Sequence, residues 1–168
     1  MNTRSFRSIR RRVATALLML AATLAPPVVA HARDGDRNAQ IVRQAFAAWA
    51  AGTGGPYALL ADDAVWTITG KSLASRTYEN REAFLSRVIG PFNARMSTGL
   101  KPTLRNLYQD GDTVIVFFDA SGTARDGKPY ANTYAWFLDL REGQIVRAFA
   151  FFDSIAFDDL WTRVQPAP

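Results

Sequence analysis

Cysteine is absent from this sequence, and histidine occurs only once, as His31. Without cysteine the chain can form neither a disulfide nor a thiolate nucleophile. One histidine cannot supply the imidazoles of most zinc sites, and the processing predicted below removes it, which also excludes a Ser-His-Asp triad. Carboxylates, tyrosines and lysines are then the candidates for acid-base chemistry. We therefore expect neither a metal site nor a cofactor.

The first 32 residues have the composition of a secretory signal. A cluster of five arginines precedes an apolar run, 13–24, that is too short to remain in a bilayer as a stable anchor. Ala30 and Ala32 are small residues at the positions that a signal peptidase reads. These features predict a signal peptide over 1–32, a loose linker over 33–37, and a periplasmic or secreted protein. An uncleaved membrane anchor is the alternative.

Little net charge remains once this segment is removed. The whole chain carries a formal charge of +5 from 20 basic and 15 acidic residues. Five of the basic residues, and none of the acidic ones, lie in residues 1–32, so the remaining 136 residues carry 15 of each sign. Nucleic-acid binding needs a basic field that this balance does not provide. We expect no nucleic-acid partner and, after cleavage, no membrane association.

The rest of the chain has helical patterns first and strand patterns after them. Apolar residues at helical spacing predict helices over 38–51, over 57–60, and from about Arg81, capped by Asn80, to a stop or kink at Gly90-Pro91. Alternation and turn residues predict a strand over 64–69, a loop over 70–78, strands over 102–109, 113–124, 130–140 and 145–152, and a last helix over 154–164. This order indicates an α+β fold.

The segment 130–153 organises this pattern, because it contains two long strands joined by a tight turn. The turn is Arg-Glu-Gly-Gln over 141–144, in which Gly143 can adopt the positive φ that a reversal requires. The two preceding connections are also short and contain glycine. We therefore predict antiparallel pairing along the last four strands.

Four stretches of the chain resemble the SnoaL-like branch of the nuclear transport factor 2-like superfamily. They are VRQAFAAWAAG, LLADDAVWTI, YENREAFL, and the hairpin that contains Asn132, Tyr134 and Phe152-Asp153. The resemblance covers residues 38–163 and leaves a tail over 164–168. It implies a cone-shaped, curved antiparallel sheet of about five strands. It also implies three helices of the N-terminal half on the concave face, a short C-terminal helix, an apolar pocket and frequent dimers.

Two catalytic patterns of that superfamily are incomplete here. At the position of the catalytic base of the steroid isomerases this chain has Ile68 or a close neighbour. At the position of their helix-1 tyrosine it has Ala45, and near that of their protonated acid it has Tyr134, so the base is absent. The related epoxide hydrolases use two carboxylates. The position of one lies near Ala150 and has no acid here, whereas the position of the other lies near Asp119. The resemblance therefore supports neither reaction, and a site must be argued from the residues present.

The predicted strands bring five candidate ligand-binding residues to one face. If Trp66 and Ile68 point inward, as the resemblance implies, alternation places Asn132, Tyr134 and Trp136 beside them. Tyr134 could then donate a hydrogen bond to a ligand oxygen, and Asn132 could donate or accept one. The alternative is a buried Asn–Tyr pair whose members satisfy each other and only shape the core.

Two carboxylates are further candidates. Asp119 lies in the apolar run VIVFFDASG, where desolvation would raise its pKa and suit it to general acid-base catalysis with Tyr134. The alternative is an acid on the outer face of a half-exposed strand. Asp153 ends the last strand just before a predicted helix. It could contact a ligand, or it could cap that helix.

Three functional hypotheses follow. The first is an exported protein of unassigned activity that binds a small hydrophobic or carbonyl-bearing molecule in an apolar pocket. The second is a cofactor-independent isomerase, lyase or hydrolase that uses Asp119 with Tyr134 or Asn132. The third is an accessory domain that interacts through its convex sheet face. Phe149 and Phe151 on the last strand would serve a homodimer there, or else belong to an ordinary core.

Overall fold

The computed structural model describes residues 29–167, so the predicted arginine cluster and apolar run of the signal lie outside the described residues. Helix α1 spans Val29–Ala51. It begins before the expected start at residue 38, and the predicted linker over 33–37 is helical. Within the described part of the chain, no helix is both long and apolar enough to cross a bilayer.

Four short helical pieces follow α1, one directly after it and three in a continuous segment further along the chain. A 3₁₀ turn spans Pro56–Leu59. Helix α2 (Arg81–Phe84) continues into a π turn (Leu85–Ile89) and then into α3 (Gly90–Asn93). The Asn80 side chain accepts a hydrogen bond of 2.8 Å from the Ala83 backbone N–H, which confirms the predicted cap. The helical path does not stop at Gly90-Pro91, because Pro91 occupies the first turn of α3, where a proline is tolerated.

Six strands form one curved sheet in the order β2-β1-β6-β5-β4-β3. Their bounds are β1 Leu60–Ile68, β2 Thr77–Tyr78, β3 Met96–Asp110, β4 Thr113–Ala124, β5 Pro129–Arg141 and β6 Gln144–Phe152. The short strand β2 lies in the segment that was predicted to be a loop, and it pairs with β1 through Trp66 and Thr67. Helix α4, Ser154–Arg163, follows the last strand.

One pairing differs from the antiparallel expectation. Strands β3 to β6 form antiparallel neighbours, as predicted, but β1 pairs with β6 in parallel, with Trp66 opposite Ala148 and Ile68 opposite Ala150. No hairpin joins these two strands, since three helical pieces and four strands lie between them in the chain. Their relative direction is therefore set by packing and not by a turn.

The β5–β6 turn has the predicted position and the geometry of a type I′ hairpin. Arg141 pairs with Gln144, which leaves two residues in the loop. Both of these have positive φ, 54° at Glu142 and 80° at Gly143. Only a primed turn combines this backbone with the right-handed twist of the flanking strands. The central hairpin of the fold is therefore specified locally.

The core lies between the concave face of the sheet and the helices. Helix α1 contributes Val42 and Phe46, and the helical segment 81–93 contributes Phe84, Val88 and Phe92. Phe46 packs edge-on against Phe118 of β4, which is fully buried, and Phe84 stacks on Trp66 of β1. The overall architecture is the α+β cone that was predicted, with six strands where about five were expected.

Candidate functional site

The concave face collects four of the predicted ligand-binding residues around one small cavity. Trp66, Ile68, Tyr134 and Trp136 are between 2% and 7% exposed and line a cavity of about 50 Å³, here called the inner cavity. Its other walls are almost entirely apolar. This volume is below the 300–1,000 Å³ that is usual for a ligand site and leaves room for about one water molecule.

A larger space of about 610 Å³, here called the vestibule, adjoins the inner cavity. The glycine-rich connection after α1 and the irregular start of β3 form much of its wall. Five residues line both spaces and are here called the constriction: Trp49, Tyr57, Ile89, Phe92 and Leu100. These five side chains form a wall that is common to both spaces.

Aromatic rings build the constriction and the wall behind it. Trp49 stacks on Trp136 with ring centroids 6.1 Å apart, and Tyr57 meets Trp66 edge-on at 6.2 Å. Phe118 lies against Tyr134 in a stack of 4.8 Å. A planar apolar molecule could replace part of this stacking with contacts of the same kind.

A chain of hydrogen bonds ends at Tyr134. Asn132 donates from Nδ2 to the Tyr130 hydroxyl at 3.0 Å, and this hydroxyl lies 3.0 Å from that of Tyr134. The Tyr134 oxygen keeps capacity for at least one further hydrogen bond, because a phenol can donate once and accept twice. If Tyr130 donates to Tyr134, the Tyr134 proton can be directed at a ligand. Tyr130 is thus a supporting residue that the sequence interpretation missed.

Asn132 itself has a structural position. Its Oδ1 accepts from the backbone N–H of Asp153 at 2.9 Å, and its Nδ2 also donates to the Asp153 carbonyl at 2.9 Å. The side chain therefore ties β5 to the junction of β6 and α4. It does not line the inner cavity but borders a separate open groove, together with Asp119 and Asp153. This arrangement agrees with the alternative in which the Asn side chain is internally satisfied.

Burial keeps the phenols at the site protonated. Desolvation raises the pKa of Tyr134 well above the ordinary value of 10.0, with a further contribution from Tyr130. Desolvation likewise raises the pKa of Tyr130 and of Tyr57. These tyrosines can consequently serve as hydrogen-bond donors at neutral pH but not as bases.

Asp119 is not placed beside Tyr134. It lies on the convex face, where its carboxylate accepts 2.5 Å and 2.6 Å hydrogen bonds from Arg105 Nε and the Thr133 hydroxyl. The hydrogen bond from Thr133, followed by the interactions with Arg105, lowers the Asp119 pKa. The expected raised pKa and the expected pairing with Tyr134 are thus not found. Alternation explains this, since Phe118 and Ala120 take the inward positions.

Asp153 is the N-cap of α4. Its Oδ1 accepts a 2.9 Å hydrogen bond from the Ile155 backbone N–H. This contact matches the capping role, one of the two alternatives for this residue. The carboxylate is exposed and does not line the inner cavity or the vestibule.

None of the five residues of the constriction was predicted as a site residue. Trp49 was recognised only as part of the apolar face of helix 1, and Tyr57 only as part of a short helix. The sequence offers one signal for Tyr57. It follows Gly54-Gly55-Pro56, a backbone that leaves the helix path and turns the next side chain toward the core. For Tyr130, its position two residues before Asn132 on the same strand face would have been sufficient.

The convex face carries an apolar band between two ionic clusters. The band consists of Ile115, Phe117, Ala135, Phe137, Phe149 and Phe151, which neighbour one another across β4, β5 and β6. On one side Arg105, Asp119 and Thr133 are hydrogen-bonded, and on the other side Arg147, Asp139 and Thr113 repeat the arrangement. Phe149 and Phe151 remain 40% and 43% exposed. All six residues of the band are at least partly exposed.

No group of three or more His, Cys, Asp or Glu residues within 29–167 is arranged to hold a metal ion.

The sequence profile of the SnoaL-like domain family matches residues 42–148, which is more than half of the chain. The protein belongs to this family, and with it to the nuclear transport factor 2-like superfamily. The matched residues include α1 from Val42 onward, the constriction, and most of the β5–β6 hairpin. No protein of curated function matches the chain in sequence.

Solved structures agree with this fold. Bal32a, from a soil-derived mobile gene cassette, superposes with a TM-score of 0.63 at 22% identity, covering 76% of this chain and 98% of its own. An NTF2-like protein of Burkholderia thailandensis E264 gives 0.60 at 26% identity, with 73% and 95% covered. A protein of Catenulispora acidiphila DSM 44928 with a ketosteroid isomerase-like fold, in complex with trimethylamine, gives 0.51 at 22% identity, with 65% and 82% covered.

Proposed function

We propose that this protein binds a small, mainly apolar, planar molecule that carries a carbonyl or phenolic oxygen. The apolar body would lie in the space formed when the constriction opens, between Trp49 and Trp136. The oxygen would accept a hydrogen bond from Tyr134. One observation carries the proposal: a buried phenol with spare hydrogen-bonding capacity lines a cavity whose other walls are apolar, beside a vestibule of about 610 Å³.

The size of the two spaces supports this ligand class. The inner cavity alone, at about 50 Å³, holds no organic molecule larger than a few atoms. A ligand must therefore displace side chains of the constriction, and stacked rings are displaced at low cost only by another flat apolar surface. A strongly polar ligand would leave its own groups unpaired against these walls.

A pair of matched probes tests the proposal. 2-Acetylnaphthalene and 2-ethylnaphthalene have similar shapes, but only the first has a carbonyl oxygen. Both should quench the fluorescence of Trp49, Trp66 and Trp136, and the acetyl compound should bind more tightly. The difference in affinity should be up to about tenfold, because one hydrogen bond contributes roughly 0.5–1.5 kcal/mol. Tyr134→Phe should remove this difference. Tyr108→Phe, at a phenol 54% exposed on β3, is the control.

The pH dependence of binding is a further readout. Since burial raises the pKa of Tyr134, the phenol stays protonated and the affinity for the acetyl probe should be constant from about pH 6 to pH 9. An affinity that changes with pH in this range would indicate that a group other than Tyr134 donates the hydrogen bond. Failure of both naphthalenes to bind at their solubility limit would overturn the proposal.

Catalysis by Asp119 with Tyr134 or Asn132 is not favoured, because Asp119 and Tyr134 lie on opposite faces of the sheet. A second function is favoured by the convex face. We propose that the apolar band is the interface of a homodimer, because it is apolar, at least partly exposed and bordered by ionic clusters, as a stable interface is. Each copy would cover the Phe149 and Phe151 of the other.

Export remains a separate proposal. It is supported by the arginine cluster, the short apolar run and the Ala30-His31-Ala32 sequence. Sequencing of the mature N-terminus after expression in a Gram-negative host should find Arg33 in the periplasm or the medium. A cytoplasmic protein that still begins with Met1 would contradict it.

A further inference from the structure

The polar side-chain groups around the inner cavity all belong to aromatic residues. Three tryptophans and two tyrosines line this space, and its other lining residues are all aliphatic or phenylalanine. No carboxylate, amide, serine or threonine side chain of the described residues therefore borders it. An indole N–H can only donate a hydrogen bond, whereas a phenol donates one and accepts up to two. The side chains around the inner cavity thus offer more donors than acceptors.

Two of these donors belong to deeply buried indoles. Trp66 and Trp136 are 2% and 3% exposed, and they line the inner cavity but not the vestibule. Neither indole N–H donates to another described residue. Among the described residues, Arg81 Nε is nevertheless the only completely buried side-chain nitrogen or oxygen without a partner. The two indole nitrogens therefore touch open space, and the space that these side chains line is the inner cavity.

The contact between the two indoles cannot occupy both N–H groups. The rings of Trp66 and Trp136 meet edge-on, with centroids 5.1 Å apart and an interplanar angle of 87°. In such a contact only one ring directs its edge at the face of the other, so at most one N–H could point at the neighbouring ring. Phe84 covers a face of Trp66 in a stack of 4.4 Å and not its edge. The inner cavity thus has at least one indole donor in addition to the Tyr134 hydroxyl.

An oxygen atom without a proton fits this environment best. The inner cavity, at about 50 Å³, holds a group of about the size of one water molecule. The oxygen of an alcohol would also have to place its own proton. Among the described lining side chains the only acceptors are two phenol oxygens, and that of Tyr134 already shares a hydrogen bond with Tyr130. A carbonyl oxygen accepts hydrogen bonds and has no proton to place, so it leaves no buried donor unpaired.

We propose that the inner cavity binds a ketone-type carbonyl oxygen, which accepts hydrogen bonds from Tyr134 and from an indole N–H of the Trp66–Trp136 pair. The inference rests on the proposed function, and it narrows the ligand class from carbonyl or phenolic compounds to carbonyl compounds. The two tryptophans are then specificity-determining residues as well as apolar walls. An alcohol or phenol of the same shape binds less tightly, because its proton meets donors.

The first experiment compares 2-acetylnaphthalene with 1-(2-naphthyl)ethanol, its reduced form, by titration calorimetry. The ketone should bind about two- to tenfold more tightly, which is the range of one hydrogen bond. Trp66→Phe and Trp136→Phe each keep an aromatic ring and remove an N–H, and at least one of them should abolish the preference. Trp161→Phe is the matched control, since Trp161 lines neither the inner cavity nor the vestibule, and it should retain the preference.

The indole N–H resonances of the unaltered protein give a readout that does not require a buried variant to fold. In ¹H–¹⁵N spectra, 2-acetylnaphthalene should move the signal of Trp66 or Trp136 further downfield than 2-ethylnaphthalene does. The carbonyl acceptor deshields the bonded proton, whereas the two compounds share the same ring system and its ring current. The Trp161 signal should not distinguish them. Equal shifts of the Trp66 and Trp136 signals with both compounds would overturn the inference.

The two proposals fail in different ways. If the ketone binds more tightly than 2-ethylnaphthalene but the alcohol binds as tightly as the ketone, the proposed function stands and this inference is wrong. A preference for the ketone that survives both Trp→Phe substitutions would belong to another donor and would also overturn it. If none of the three compounds binds, the proposed function is wrong and this inference with it.

Discussion

Phe117 and Phe118 are neighbours in the chain and identical in type, yet they belong to opposite faces of the sheet. Phe118 is 0% exposed and contacts the rings of Phe46, Trp49, Tyr134 and Trp136. Phe117 is half-buried and lies on the convex face, with the Arg105 guanidinium 5.2 Å from its ring. What distinguishes these positions is the layer that covers them, since helices pack on the concave face, whereas the residues of the convex band are at least partly exposed.

Polar groups follow the same division. On the concave side, Tyr130 and Asn132 are buried and satisfy each other and the backbone near Asp153. On the convex side, the Arg–Asp pairs are partly exposed, and such ion pairs contribute little because water and salt screen them. The concave polar groups therefore fix geometry around the pocket, whereas the convex charges can border a partner without a large desolvation cost.

Truncation of the two phenylalanines should separate the faces most clearly. Phe118→Ala should lower the free energy of unfolding by about 3–5 kcal/mol, because it leaves a cavity among four aromatic rings. Phe117→Ala should cost less than half of that, since its surroundings are partly solvent. Urea denaturation at low protein concentration measures both values. Equal losses would mean that the convex face is as tightly packed as the core.

A charge in the convex band should act on assembly and not on the fold. Phe151→Asp should dissociate the proposed homodimer, because each interface would bury two unpaired carboxylates related by symmetry. Ile155→Asp, at a side chain 81% exposed on α4, adds the same charge outside the band and should leave the dimer intact. Light scattering at micromolar concentration measures the mass. A monomer in the unaltered protein would refute the dimer.

The polar junction behind the pocket should show an intermediate effect. Asn132→Ala should destabilise the fold by about 1–3 kcal/mol, because the Asp153 N–H and the Tyr130 hydroxyl lose a buried partner. Asn106→Ala, at an exposed amide on β3, is the control and should stay within about 0.5 kcal/mol. Thermal unfolding compares them. If Asn132→Ala is as stable as the control, water replaces the amide and the junction is not structural.

Local signals explain which parts of the fold could be predicted. Strands β4, β5 and β6 and helix α4 begin and end within about one residue of the prediction, because Gly111, Gly127 and Gly143 mark turns of positive φ. The caps at Asn80 and Asp153 depend on residues two or three positions away. These features need no knowledge of distant contacts.

Distant contacts explain what could not be predicted. The parallel pairing of β1 with β6 and the meeting of Trp49 with Trp136 join segments far apart in sequence. The side of Asp119 was ambiguous for another reason. Residues 114–118 are apolar at every position, although their side chains alternate between the two faces in the structure. The sequence therefore shows no polar–apolar alternation that would assign Asp119 to one face of the sheet.

Asp119 gives the smallest expected effect and the sharpest test of which face holds the site. Asp119→Asn should leave binding of the acetyl and ethyl naphthalenes unchanged, because the carboxylate lies on the convex face with Arg105 and Thr133. Loss of binding in this variant would place Asp119 in the pocket after all. Only a slight decrease in stability is expected at neutral pH, since the group is partly exposed and screened.

The pH dependence of that decrease has a defined sign. The Thr133 hydrogen bond and Arg105 lower the pKa of Asp119 in the folded state, so its contribution to stability is present above the unfolded pKa of about 3.9. It is lost as the pH falls through the lower, folded pKa, where the carboxyl becomes neutral like the asparagine amide. The difference between Asp119→Asn and the unaltered protein should thus shrink from pH 7 to the acid limit of folding. A difference that grows in acid would require an Asp119 with a raised pKa, as a proton carrier in an apolar pocket would have.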